Sequence, residues 1–338
     1  NPARHPTGRI RIPTCRPARV HPPASRQSHG QRRRVASADQ QNSIDGPSSQ
    51  NTQTAPSRRR FLLRRGSTML SRSVTIMGIV NVTPDSFSDG GRFLDPQSAI
   101  AQARSLAAAG ATVIDVGGES TRPGATQVGA QQELDRVIPV IEAISDELDI
   151  TISVDTRKAV VMREAVAAGA HWINDVEALQ GEGALGTASA LQVPVCLMHM
   201  QGTPGSMQDA PQYRDVVTEV EAFLLERVRV CEAAGIRRER ILLDPGFGFG
   251  KTLTHNVALF RALPRLAALG FPLLVGVSRK RMLGELLQAG AASPAGRVTA
   301  GAVAAVLAVQ SGARIIRTHD VEETVQALQI LQALASDQ

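Results

Sequence analysis

Eight short apolar runs in this chain end in side chains that can coordinate a cation, grip an anion or read the edge of a ring. The first, Val74 to Val82, has Asn81 at its exit and continues into Thr83-Pro84-Asp85-Ser86-Phe87-Ser88-Asp89-Gly90-Gly91. The second, Thr112 to Gly118, carries Asp115 and leads to Glu119-Ser120-Thr121-Arg122-Pro123-Gly124. Ile150 to Val154 ends at Asp155, Trp172-Ile173 at Asn174-Asp175, and Val193 to Met198 at His199. Ile241 to Leu243 gives Asp244-Pro245-Gly246-Phe247-Gly248-Phe249-Gly250-Lys251, Pro272 to Val277 gives Ser278-Arg279-Lys280, and Ala313 to Ile316 gives Arg317-Thr318-His319-Asp320.

These residue types suit a flat heteroaromatic ring joined to a diphosphate. Asp155, Asn174 and Asp244 meet at the mouth; a carboxylate accepts two parallel N–H bonds, so Asp244 suits an amidine-like ring edge, while Asn174 both donates and accepts. Lys280 can meet a ring carbonyl. Arg122, Arg317, His319 and the glycine-rich loops suit phosphate oxygens, and Asn81 can give an oxygen to Mg²⁺. Taken singly, each feature has a plainer reading: His319 as a helix cap, Arg317 as a surface ion pair, Phe249 as packing, Lys280 as part of a solvated basic turn, and Asp85 and Asp320 as caps. Eight polar ends are harder to explain as eight independent caps.

The elements that position these ends follow from period. Between the apolar runs lie Ala- and Leu-rich segments of helical spacing: Ser98 to Ala109, Gln131 to Glu147, Lys158 to Ala168, Tyr213 to Ala234, Val257 to Leu269, Gly296 to Gln310 and Val321 to Leu334. Strands alternating with helices predict a parallel sheet, and eight of them predict an α/β fold closed as a (β/α)8 TIM barrel. Such a barrel keeps its active site at the C-terminal ends of its strands, where all eight polar ends fall. Residues 73–338 match the usual barrel length of roughly 250 residues.

Residues 1–72 are of another kind. They hold fifteen Arg against Asp39 and Asp45, with scattered Pro, Ser and Gln and no apolar period, which predicts a disordered basic extension. A nucleic-acid arm or a transit peptide would share that composition. Because the chain opens without Met and Met69 lies just ahead of the first strand, the extension is expected not to belong to the working protein. Of the 37 Lys and Arg and 31 Asp and Glu, 22 and 29 then remain, so the chain's net charge of +6 becomes about −7. A basic face for nucleic acid disappears with it. Only three lysines occur, Lys158, Lys251 and Lys280, all near strand ends. Cys15, Cys196 and Cys231 have no metal or disulfide spacing, and no run approaches the ~18 apolar residues of a membrane span. A soluble cytoplasmic enzyme is expected, with neither nucleic acid nor membrane as partner.

In order, the motifs at Asn81 to Gly91, Asp115 to Gly124, Ser153 to Thr156, Ile173 to Asp175, Leu197 to Gly202, Asp244 to Lys251, Ser278 to Lys280 and Arg317 to Asp320 resemble those of the bacterial dihydropteroate synthases. The resemblance runs from Thr75 to the C-terminus and leaves the first 72 residues out. It implies a transferase of folate biosynthesis, in which 4-aminobenzoate displaces diphosphate from 6-hydroxymethyl-7,8-dihydropterin diphosphate to give 7,8-dihydropteroate. Carried over, Asp155, Asn174, Asp244 and Lys280 hold the pterin, with Met198 and Phe249 lining its pocket. Asn81 binds Mg²⁺, Arg317 and His319 hold the diphosphate, and Thr121 contacts the same substrate. Asp89 and Arg122 belong to two mobile loops, and Asp89, Arg122, Lys280, Arg317 and His319 form the catalytic set. The resemblance also implies a homodimer through C-terminal helices such as Gly296 to Gln310, and a sulfonamide target. The alternatives are a corrinoid-type pterin methyltransferase, against which Asn81, Arg317 and His319 argue, and a non-catalytic pterin-binding paralogue, against which the two intact loops argue.

Overall fold

Successive side chains of a strand point to opposite faces, and in this protein the two faces of each strand meet different partners. The computed structural model describes residues 74–83, 96–121, 125, 127–287, 293 and 295–335. Its strands are β1 (Thr75–Asn81), β2 (Val113–Gly117), β3 (Thr151–Asp155), β4 (Trp172–Asp175), β5 (Val195–Met198), β6 (Ile241–Asp244), β7 (Leu274–Val275) and β8 (Ile315–Thr318). They pair in parallel in the order β6-β5-β4-β3-β2-β1-β8-β7. A bridge between Leu243 and Leu273, with Leu243 N donating to Pro272 O at 3.0 Å, joins the two ends. The eight-stranded barrel expected from the sequence is therefore present, although β7 has only two residues.

Ile76, Val80, Ile114, Val116, Ile152, Val154, Ile173, Leu197, Leu243 and Ile316 share one apolar cluster with the helices. Met77, Val113, Trp172, Cys196, Leu242, Leu274 and Ile315 form a second, separate cluster. The second set has the opposite parity on each of the seven strands that contribute to it, all but β3, which places it inside the barrel as a floor.

The helices are α1 (Pro96–Ala108), α2 (Ala130–Glu147), α3 (Ala159–Ala167), α4 (Ala184–Leu191), α5 (Val216–Ala233), α6 (Leu253–Arg261), α7 (Leu263–Ala267), α8 (Arg281–Leu286), α9 (Val298–Gln310) and α10 (Val321–Ala335). Helix α2 shows why they dock: Val137, Val140, Ile141 and Ile144 recur at helical spacing and are all fully buried. Each contributes roughly 1.5–3 kcal/mol relative to exposure. Helix α5 starts where Asp215 accepts from Val217 N at 3.1 Å, and α6 where Thr252 and His255 form a reciprocal capping box. The single helix expected over Val257 to Leu269 is two, broken at Ala262, because Pro264 has no N–H to give a continuing helix. Among the described residues, no helix is long and apolar enough to cross a membrane.

Candidate active site

Two residues above the floor, the inward face changes character: Ile79, Asp115, Asn174, Met198, Asp244, Gly276 and Arg317 follow Met77, Val113, Trp172, Cys196, Leu242, Leu274 and Ile315 on the same strands. All of these but Asp115 line a cleft of about 440 Å³ at the strands' C-terminal ends, together with Thr121, Asp155, Val176, Phe249, Ser278, Lys280 and His319.

The deepest polar contacts run across the barrel. Arg317 donates from Nε to Asp115 Oδ2 and from Nη2 to Asp155 Oδ2, both at 2.6 Å, and Asn174 Nδ2 donates to Asp115 Oδ2 at 3.1 Å. Burial works against the guanidinium, but Asp115 and Asp155 outweigh it and hold Arg317 charged. Burial also pushes the Asp155 carboxyl up to about 7; Arg317 pulls it down and Asp115 pushes it up. Asp115 is fully buried, and among the described residues its Oδ1 has no protein partner. The pairing of Asp115 with Arg317, 202 residues away, is revealed only by the closed barrel.

Asp244 sits at the exit of β6 with Oδ1 accepting from Gly246 N at 2.7 Å, its carboxyl raised by burial and lowered by Lys280. Lys280 extends over the Phe249 ring, 4.6 Å from its centroid, and donates to Phe247 O. Burial pulls the Lys280 ammonium down to about 8 against the pull of Asp244. The loop that brings Phe247 and Phe249 here needs glycine: at Gly246 (φ +68°) a Cβ would lie 1.9 Å from His199 O, and at Gly250 (φ +62°) 2.3 Å from Gln201 O.

The exits of β7 and β8 are stitched together by Ser278. Its hydroxyl lies 3.2 Å from His319 Nδ1, accepts from His319 N at 3.1 Å and lies 3.2 Å from Asp320 Oδ2. Arg279, in the left-handed region at φ +58°, grips Asp320 through Nε at 3.0 Å and through Nη2. Asp320 thus ties its carboxylate to the loop. Asp175 has a structural place too, accepting from Glu177 N at 2.8 Å and Leu179 N at 2.9 Å.

Nine of the residues singled out from the sequence line this one cleft: Thr121, Asp155, Asn174, Met198, Asp244, Phe249, Lys280, Arg317 and His319. Asn81 ends β1, paired in register with Gly117, and is not among the lining residues. Asp89 and Arg122 lie outside the described residues. Ile79, Val176, Gly276 and Ser278 line the cleft without having been singled out; Ser278 had a signal, a hydroxyl at a strand end two residues before Lys280. Among the described residues, no three His, Cys, Asp or Glu groups come together as a metal cluster.

A barrel whose mouth gathers buried carboxylates, an amide, a lysine and an arginine around one cleft is a pterin-binding enzyme by family: the Pterin binding enzyme model matches residues 77–319, and the chain belongs to that family. Within it, the relatives are dihydropteroate synthases. The Escherichia coli K12 dihydropteroate synthase is 50% identical over 275 residues, covering 81% of this chain and 96% of the relative. The Neisseria meningitidis serogroup B enzyme is 51% identical over 265 residues, 77% of this chain and 92% of the relative. Among solved structures, Xanthomonas albilineans dihydropteroate synthase with 4-aminobenzoic acid is 52% identical with a TM-score of 0.75, covering 79% of this chain and 95% of that one. The Yersinia pestis enzyme in a sulfonamide drug complex is 51% identical with a TM-score of 0.74, covering 78% and 95%.

Proposed function

We propose that this cleft joins 4-aminobenzoate to 6-hydroxymethyl-7,8-dihydropterin diphosphate, releasing diphosphate and forming 7,8-dihydropteroate. The observation that carries the reading is the convergence of Asp155, Asn174, Asp244 and Lys280 on one cleft at the barrel mouth. A Xanthomonas albilineans relative, 48% identical, holds 7,8-dihydropteroate. In this reading Asp244 and Asn174 bind the amino and ring N–H edge of the pterin, Lys280 donates to its ring carbonyl, and Met198 and Phe249 bound its faces. Asp155 leaves Arg317 to meet the pterin, which turns the guanidinium toward the diphosphate beside His319 and Thr121.

The bond that breaks joins the pterin methylene carbon to a diphosphate oxygen, which departs with the electron pair. The bond that forms joins that carbon to the neutral aniline nitrogen, which then releases a proton to solvent. No strong base is needed; charge developing on the leaving oxygen is met by Arg317 and His319, in a cleft that keeps competing water from the carbon. Asp89 and Arg122 are proposed to complete the enclosure. Mg²⁺ fits the donor set, since Asn81 offers one hard oxygen and Mg²⁺ ordinarily fills its shell with phosphate oxygens and water; when bound it offsets diphosphate charge.

A second copy of the chain is the proposed partner. Val303 and Leu307 on α9, and Ile330 and Leu334 on α10, are exposed one turn apart on helices that pack together. Sulfonamides are proposed to enter the 4-aminobenzoate subsite, and the cytoplasm is the proposed location. The test is to follow diphosphate release by the full chain with and without 4-aminobenzoate, in Mg²⁺ and then in EDTA. Release needing both, with an equal amount of dihydropteroate, is expected. Pterin binding without turnover would favour the non-catalytic paralogue.

A further inference from the structure

The loop Gly246 to Gly250 supplies Phe249 to the cleft, and all five of its carbonyls accept from side chains. Lys251 Nζ takes Gly246 O at 2.9 Å and Phe249 O at 3.0 Å, Lys280 takes Phe247 O, Gln208 takes Gly248 O, and Tyr213 takes Gly250 O at 2.8 Å. Lys251 also donates to His199 O at 3.2 Å and lies 2.9 Å from His199 Nδ1. Its three hydrogens therefore bind the exit of β5 to two points of the β6 loop.

Lys251 is only 3% exposed, and among the described residues no carboxylate lies in ion-pair range. Burial pulls its ammonium down to about 7, with Asp244 pushing it back up, and burial followed by Lys251 holds His199 neutral, down to about 3. A buried ammonium with only neutral partners is a poor way to gain stability, since an apolar side chain of the same length would avoid its desolvation. What it contributes is geometry: three donors in one place, where a loop with left-handed glycines at 246, 248 and 250 would otherwise be loose.

We propose that Lys251 is a positioning residue for the pterin subsite: by tying His199 to Gly246 and Phe249 it sets the height of the Phe249 ring and the Phe247 carbonyl between which Lys280 is held. It touches neither substrate. The proposal rests on the reading of Lys280 and Phe249 as pterin-site residues.

The test compares full-length wild type with Lys251→Met, which keeps the length and loses the donors, and Lys251→Gln, which keeps two N–H donors without charge. The KM for the dihydropterin diphosphate is expected to rise tenfold or more in Lys251→Met, on the order of what sub-ångström misplacement costs. The KM for 4-aminobenzoate should stay within about twofold, and Lys251→Gln should recover part of the loss. A lower melting temperature with an unchanged pterin KM, an equal rise in both KM values, or a Lys251→Gln that also fails to fold would overturn the assignment. Calorimetric pterin binding separates the two levels: a wild type that binds no pterin sinks the reading of the cleft itself, whereas variants that bind as tightly as wild type sink only the role of Lys251.

Discussion

The floor and the mouth of the barrel stand on the same strands, two residues apart, and obey opposite rules. At the floor, Met77, Val113, Trp172, Cys196, Leu242, Leu274 and Ile315 fill the interior with apolar volume. One inward step higher, Asp115, Asn174, Asp244 and Arg317 bring polar atoms into nearly the same seclusion, with Asp115 fully buried and Asn174 and Asp244 at 5% and 7% exposure. The floor is where the fold gains stability; the mouth is where it gives some up. Raised carboxyls at Asp155 and Asp244 and a lowered ammonium at Lys280 all record burial working against charge. Function and stability are thus separated along each strand by a single inward step of about 6.6 Å.

The largest expected effect lies at the mouth. Lys280→Met should lower kcat/KM by roughly 10²–10³, and because it leaves buried Asp244 without its cation and Phe247 O without its donor it should also cost some stability; kinetics per folded molecule and parallel calorimetry separate the two. The mirror case is Leu242→Ala at the floor. It should cost about 2–5 kcal/mol in urea unfolding, with kcat/KM per folded molecule within about twofold of wild type. A matching loss of turnover there would mean that the two layers are not separable.

A smaller effect depends on pH. The Lys280 ammonium, lowered from its usual 10.5 to about 8, is charged below that value and loses its proton above it. kcat/KM for the pterin substrate should therefore fall up to tenfold per unit above about pH 8. Lys280→Arg, which stays charged, should flatten that limb, and a limb that persists in the variant assigns it to another group. The smallest effect is expected at Ser153, paired in register with Asp115 on one side and Trp172 on the other. Among the described residues its buried hydroxyl has no protein partner, so Ser153→Ala should change stability by less than about 1 kcal/mol, whereas a larger loss would reveal a hydrogen bond to water.

Much of this was legible in the sequence, for a physical reason. A strand buried on both faces reads as an apolar run, so the polar residue that ends it stands out, and eight such ends mark one mouth. Nine of the twelve residues named from those strand ends and from the family resemblance line the cleft. What escaped was whatever depends on closure or on weak local signals. Helix α4 is a short Ala- and Gly-bearing segment and α8 has six residues, too few to show a helical period. The bridge from Arg317 on β8 to Asp115 on β2 and Asp155 on β3 joins the last strand to the second and third, and no spacing encodes it. Lys251 was conspicuous only as one of three lysines; its carbonyl partners are backbone atoms, which sequence does not distinguish.

The most direct measurement is calorimetric titration of the dihydropterin ring, without its diphosphate, into wild type and Asp244→Asn. The mouth recognises the ring edge through a buried carboxylate, so the variant, which replaces one acceptor oxygen by a donor of the same size, should bind at least about 100-fold more weakly while melting as wild type does. Equal affinity in the two proteins would contradict the account, because the ring would then be held by something other than the polar layer above the barrel floor.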